Sequence, residues 1–186
     1  MSDTTARVLD AAAALVSERG WAGLSMGTVA KEAGVSRQTV YTLVGSRGGL
    51  AEALVGREVR SFLDVVDEEL GRGADVVEAV RRTVHRVLVL AAGNPLLVAT
   101  VSASHGTAAD EVLPLLTTRS EHLLGSARAV VDGHLALRVP AMPEPERAVL
   151  VDTLVRVVMS HVVRPHGDPA DASAGVAWVV SRLLPA

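Results

Sequence analysis

Apolar residues recur along most of the chain at helical spacing. Val8, Leu9, Ala12, Leu15 and Val16 fall at i, i+1, i+4, i+7 and i+8, one face of a helix. Thr4 or Asp3 can cap its start, Gly20 suits the left-handed position after its end, and Trp21 can fold back on the last turn. The pattern predicts a helix over about 5–19. Ser25 can cap a second, short helix with Val29, Ala30 and Ala33 inward and Gly34 at its end. Ser36 can cap a third, RQTVYTLV, in which Val40, Val44 and Leu43 look inward while Arg37, Gln38, Thr39 and Tyr41 are left on the outer side.

From Ser46 onward the reading stays helical. Leu50, Ala53, Leu54, Val59, Phe62, Leu63, Val66 and Leu70 keep one stripe up to Gly71, and Val76 to Ala92 forms another segment. Asn94-Pro95 starts a helix at about 95–103, a long one follows from about 110 to 137, and Pro140, Pro143 and Pro145 mark the widest loop. The last two helices are expected at about 146–164 and 170–184, the latter capped by Asp168 with Pro169 at its first position. The former is apolar on nearly every side, which one intramolecular face does not explain. The two are therefore read as a four-helix dimer interface built from Val151, Leu154, Val155, Val158, Val162, Ala174, Val176, Trp178, Val179 and Leu183. The fold class is all-α.

Composition narrows the chemistry. The 186 residues are 49% hydrophobic but include one Phe, one Tyr and two Trp, so the core is built of Val, Leu and Ala. This argues against a cofactor stacked between aromatic rings, and none is expected. The absence of Cys excludes disulfides, thiolate metal sites and cysteine nucleophiles. The N-terminus lacks a signal-peptide pattern, and no apolar run is long enough to span a bilayer, so a cytoplasmic protein is expected. Net charge is −3. Within residues 1–50, however, Arg7, Arg19, Lys31, Arg37 and Arg47 outweigh Asp3, Asp10, Glu18 and Glu32 to give +1, leaving −4 for the remainder. The first third is the part a polyanion would prefer.

Two short helices joined by the turn AGVS form a helix-turn-helix. The stretch SMGTVAKEAGVSRQTVYTLVGSRGGLAEAL resembles the DNA-binding domain of TetR-family (tetracycline-repressor-like) transcriptional regulators. Thr28, Val29, Ala30, Ala33, Gly34, Val35, Ser36, Val40, Tyr41, Arg47 and Leu50 match the family motif. The match covers about residues 5–55; the rest agrees in length and helical pattern. Val44 stands where the family usually has Phe, and Gly48 and Gly49 stand where helix formers are usual, which weakens the start of the fourth helix or supplies a hinge there.

The resemblance implies a DNA-binding domain at 1–50, a ligand-binding and dimerisation domain at 51–186, and a homodimer that binds a palindromic double-stranded DNA operator as a repressor. It places the third helix in the major groove, with Arg37 toward guanine, Gln38 toward adenine and Thr39 toward a thymine methyl or phosphate. Tyr41, Thr42, Thr28, Lys31, Ser36 and Arg47 then hold phosphates and register. It also implies a pocket for a small apolar effector that releases the operator. Candidate lining residues are His85, Leu88, Leu96, Val98, Thr100, His105, Leu116, His122, Leu123, Leu124 and Val158.

Rival readings are an enzyme, a metal site, and a small-molecule-binding helical protein with a decayed helix-turn-helix. SASHGTAADE offers Ser102, Ser104, His105, Asp110 and Glu111, but without a nucleophile elbow or an oxyanion-hole glycine pattern. HVVRPHGD offers His161, His166 and Asp168, where capping and loop chemistry is the better explanation than metal ligation. The decayed-domain reading rests on Val44 and the two glycines alone.

Overall fold

The computed structural model describes residues 3–73, 75–97 and 120–184, with side chains from Leu124 onward in the last stretch. Their regular structure is helical, with no strand among the described residues. The elements are α1 (Asp3–Arg19), a single 3-10 turn (Trp21–Gly23), α2 (Met26–Ala33), α3 (Arg37–Val44), α4 (Arg47–Gly71), α5 (Val76–Ala92), α6 (Ser120–Arg138), α7 (Glu144–Val163) and α8 (Pro169–Leu183). No helix among the described residues is long and apolar enough to cross a membrane. They fall into two compact units, one drawn from 1–59 and 94–120, the other from 60–93 and 121–186. Helix α4 runs through both.

The first unit closes over the stripe that periodicity marks on α1. Val8, Leu9, Ala12, Leu15 and Val16 meet Trp21, Leu24, Val29, Ala30, Val40, Leu50 and Leu54 in one core. Full burial of each Leu or Val is worth about 1.5–3 kcal/mol, so this small unit depends on nearly all of them. Leu43, expected to look inward, is 37% exposed instead. Val40 and Val44 already fill the inner face of the two-turn helix, and Leu43 lies about 100° away from Val44 around the axis. Polar ties link distant segments. Arg57 Nη1 donates to Asp10 at 2.6 Å, and Asn94 Nδ2 donates to Glu58 at 2.7 Å. The Asn94 side-chain oxygen Oδ1 accepts from the amides of Leu96 and Leu97, which caps the helical turn expected after Asn94.

In the second unit α5 packs most extensively against α8 and also contacts α7. Leu70, Val80, Val84, Leu88, Leu135, Leu150, Val151, Leu154, Val176 and Val180 form its core. Helix α7 begins at Glu144, two residues earlier than expected, because Pro145 sits in its first turn, where a missing N–H costs nothing. The proline-rich connection is therefore only 139–143. Asp168 caps α8 by accepting from the Ala170 amide.

The expected dimer face is redistributed by this core. Val151, Leu154, Val155 and Val176 are buried within the unit itself, while Val158 and Val162 are half-buried against it. Ala174, Trp178, Val179 and Leu183 remain exposed, Trp178 at 62%, as do Val149 at 68%, Val157, Met159 and Val163. An all-round apolar helix gives no sequence signal for which side faces its own core, and α5 decides it.

Among the described residues of this unit one charged group is buried. Glu69 near the end of α4 is 3% exposed. It accepts from Arg72 Nη1 at 2.8 Å, Arg86 Nη1 at 2.6 Å and Arg82 Nε at 3.4 Å. The Arg86 hydrogen bond, opposed by burial and aided by the charge of Arg72, a hydrogen bond from Arg82 and the charge of Arg86, holds its carboxyl below the ordinary glutamate range. A depressed folded value means that the ion cluster stabilises the fold above the ordinary glutamate range and that this contribution is lost as pH falls through the folded value. Replacing Glu69→Gln should lower unfolding free energy by about 2 kcal/mol at pH near 7, and the difference should shrink toward about pH 3. Urea melts of both proteins at the two pH values measure this; an unchanged difference would contradict it.

Candidate nucleic-acid interface

Capping chemistry fixes the geometry of the first unit's two short helices. Ser25 Oγ accepts the Thr28 amide at 3.1 Å while Thr28 Oγ1 accepts the Ser25 amide at 3.1 Å, a reciprocal capping box that starts α2. Gly34 ends it at φ 65° and ψ 38°, a left-handed conformation that disfavours side chains with a Cβ. The turn is then pinned to α1 by Arg7, whose Nη2 donates to the Ala33 carbonyl at 2.6 Å. Sequence reasoning assigns Arg7 only a charge, since its partner is 26 residues away in an otherwise anonymous backbone group. Ser36 Oγ accepts the Thr39 amide at 3.0 Å and starts α3.

These constraints leave one polar face of α3 turned outward. Arg37, Gln38, Tyr41 and Thr42 are exposed and Thr39 is half-buried, over a fully buried Val40. The Arg37 guanidinium lies 5.6 Å from the centre of the Tyr41 ring, and Nη2 donates to the Tyr41 hydroxyl at 3.3 Å. Thr42 Oγ1 donates to the Gln38 carbonyl at 2.9 Å. On α2, Lys31 is exposed. Among the described residues neither Lys31 nor Gln38 has an intramolecular side-chain hydrogen bond or ion pair, so both groups are available to a partner. The hydroxyls of Thr28, Ser36 and Thr39 are used in caps, and Arg47 donates Nη2 to the Trp21 carbonyl at 2.7 Å. The expected DNA-facing residues thus lie on one small unit. Four of them are also its fasteners.

The glycine pair after Arg47 separates into two unlike positions. A Cβ on Gly49 would lie 2.1 Å from the Val44 carbonyl oxygen, a backbone clash, whereas one on Gly48 would meet only Ser46 Oγ at 3.7 Å. Ser46 Oγ in turn accepts the Gly49 amide at 3.0 Å, capping α4. Gly49 thus lets the end of α3 and the start of α4 meet at a tight corner, and α4 runs from Arg47 to Gly71.

The expected effector-pocket residues are not all brought together. Leu88 is buried in the core of the second unit, with Val158 half-buried against it. Leu96 belongs instead to the core of the first unit, where the Asn94 cap directs it. His85 lies on an open cleft lined by Glu69, Arg72, Arg81, Arg82 and Arg86. Leu124 is half-buried on α6. Val98, Thr100, His105 and Leu116, and all of SASHGTAADE, lie outside the described residues, as do the side chains of His122 and Leu123.

Comparison with known proteins covers nearly the whole chain. A family model for bacterial regulatory proteins, tetR family, matches residues 8–54, and one for the bacterial tetracyclin repressor, C-terminal domain, matches residues 75–182. The chain is 29% identical over 175 residues to the HTH-type transcriptional regulator AlkX of Mycobacterium tuberculosis (strain ATCC 25618 / H37Rv), covering 94% of this chain and 82% of that one. It is 34% identical over 184 residues to the uncharacterized HTH-type transcriptional regulator MT1294 of Mycobacterium tuberculosis (strain CDC 1551 / Oshkosh), covering 97% and 85%. The crystal structure of the TetR family repressor AlkX from Dietzia sp. strain DQ12-45-1b superposes with a TM-score of 0.74 at 25% identity, covering 97% of this chain and 94% of that one.

The α3–α4 corner makes an asymmetric prediction. Gly49→Ala should destabilise the protein by about 1–3 kcal/mol through overpacking against Val44, while Gly48→Ala should be neutral or stabilising by up to about 1 kcal/mol. Thermal melts of the two single variants test it, and equal effects would rule the corner out as the reason for the glycine pair.

Proposed function

Since the chain belongs to the tetR family of bacterial regulatory proteins and is a DNA-binding transcriptional regulator, we propose that it acts in the cytoplasm as a homodimeric repressor of a palindromic operator, released by a small apolar molecule. The family and the curated relatives are regulators of transcription and not enzymes. The observation that carries the proposal is the outward polar face of α3. Ser36 sets its start and Val40 anchors it, so Arg37 and Gln38 are offered from the helix N-terminal end, where base-reading side chains of such motifs lie.

In this reading Gln38 reads adenine and Arg37 guanine, with Thr39 against a thymine methyl or a phosphate. Tyr41, Thr42, Lys31 and Arg47 face phosphates, and the caps at Thr28 and Ser36 hold the register. Arg37 then exchanges its contact with Tyr41 for one with DNA. Dimerisation uses the exposed apolar residues of α7 and α8, around Val149, Val157, Trp178, Val179 and Leu183, in place of the buried set. An apolar effector is supported by the aliphatic character of the second unit's core and by the Dietzia repressor, which is implicated in biodegradation of n-alkanes. Effector occupancy acts by favouring one of two spacings of the DNA-reading heads, with α4 in each protomer linking the effector pocket to Arg47 and the groove.

Selection of DNA from a random pool tests the operator reading. A palindrome should be enriched by the natural protein and not by an Arg37→Ala, Gln38→Ala variant, and binding should weaken with a log-log salt slope of about −5 to −7. No enrichment by an intact dimer, or salt-insensitive binding, would favour the decayed helix-turn-helix. For the dimer, Val149→Glu with Trp178→Glu should give a folded monomer by sedimentation. An unchanged dimer would place the interface elsewhere.

A further inference from the structure

The cleft on the second unit stands apart from the apolar chemistry proposed for the effector. It is an open hollow of about 450 Å³ lined by Glu69, Arg72, Arg81, Arg82, His85 and Arg86. All of them come from the end of α4, the residue after it, and α5. Charge within it is unequal. The four arginines are faced by Glu68, Glu69 and Glu78, of which Glu69 is buried and the other two stand nearer solvent. Glu69 alone accepts from three of the guanidiniums, so each gives it only part of its fork.

Arginine has five N–H donors, and these are not exhausted. Arg81 holds Glu78 through Nε and Nη2 at 2.7 Å each, leaving Nη1 without an acceptor among the described residues. Among the described residues Arg86 donates only through Nη1, at 2.6 Å to Glu69 and 3.7 Å from Glu68, so its Nε and Nη2 have no acceptor there. Arg82 uses Nε and Nη2, the second on the Arg72 carbonyl at 2.9 Å, and its Nη1 stands 3.9 Å from Glu78. His85 is half-buried beside them with no intramolecular hydrogen bond among the described residues. Buried Glu69 holds Arg72, Arg82 and Arg86, and Glu78 holds Arg81, which lowers the entropic cost of binding a further acceptor.

We infer that this cleft is an anion site that takes a phosphate group, with the free guanidinium edges of Arg81, Arg82 and Arg86 as donors and His85 at its wall. Forked guanidiniums match phosphate oxygens in pairs, and the hollow is wide enough for a diphosphate. The inference is independent of the operator reading. A phosphate reaches such a site from either of two sources, a free phosphorylated metabolite or the head of an amphipathic molecule.

Calorimetric titration of the full chain at low ionic strength, with inorganic pyrophosphate in one arm and decyl phosphate in the other, tests the site and its source. Pyrophosphate should bind with Kd below about 1 mM. Arg81→Gln, which leaves the partners of Glu69 intact, should weaken it at least about tenfold, and Arg86→Gln likewise, with melting temperatures checked in parallel. Decyl phosphate binding at least tenfold tighter than pyrophosphate supports an amphipathic ligand, while equal or weaker binding supports a free metabolite. Absence of heat with both probes, or affinity unchanged in a folded Arg81→Gln protein, would overturn the inference and leave the arginines as a closed ion cluster around Glu69.

Discussion

At Gly49 the carbonyl oxygen of Val44 occupies the space that any side chain would need. That single approach sets where α4 leaves α3. Because α3 carries the outward polar face and α4 is 25 residues long, an error at the corner would be carried along the whole helix. Ser46 supplies the cap, Arg47 reaches back to the Trp21 carbonyl, and Leu50 and Leu54 return the new helix to the core of the first unit. The corner works by leaving no freedom. A glycine that looks permissive in the sequence is here the residue that makes a close fit possible.

Local chemistry was the most legible part of this chain. The caps at Ser25, Ser36 and Asp168, the end of α2 at Gly34 and the limits of α5 all follow from a few neighbouring residues, and the structure has them where the spacing puts them. What the sequence could not disclose depends on distant partners. Leu96 looks like any other apolar helix residue until Asn94, held by Glu58, turns it into the core of the first unit. Val151 and Val149 are neighbours of the same class, yet one is in a core and the other faces out, because α5 and α8 cover only one side of α7.

The interface residues show why a motif is easier to find than its mechanics. Thr28 and Ser36 recur in a pattern associated with DNA, but their hydroxyls close helix ends. Their place in the motif is explained by fold alone. Arg7 escapes any motif, though its bond to the Ala33 carbonyl holds the turn that presents α3. Of the residues expected to face DNA, Lys31 and Gln38 are the ones whose side chains have no hydrogen bond or ion pair among the described residues.

The scarcity of aromatic residues has an optical consequence. The chain has two tryptophans, and they fall one to each unit: Trp21 is 4% exposed within the first core, and Trp178 stands largely in water beside Arg182, whose guanidinium is 5.6 Å from its ring. Their emission should therefore differ in wavelength and in access to soluble quenchers. With a lone tyrosine as background, each half of the molecule carries its own native fluorophore, and the two can be followed separately without any attached dye.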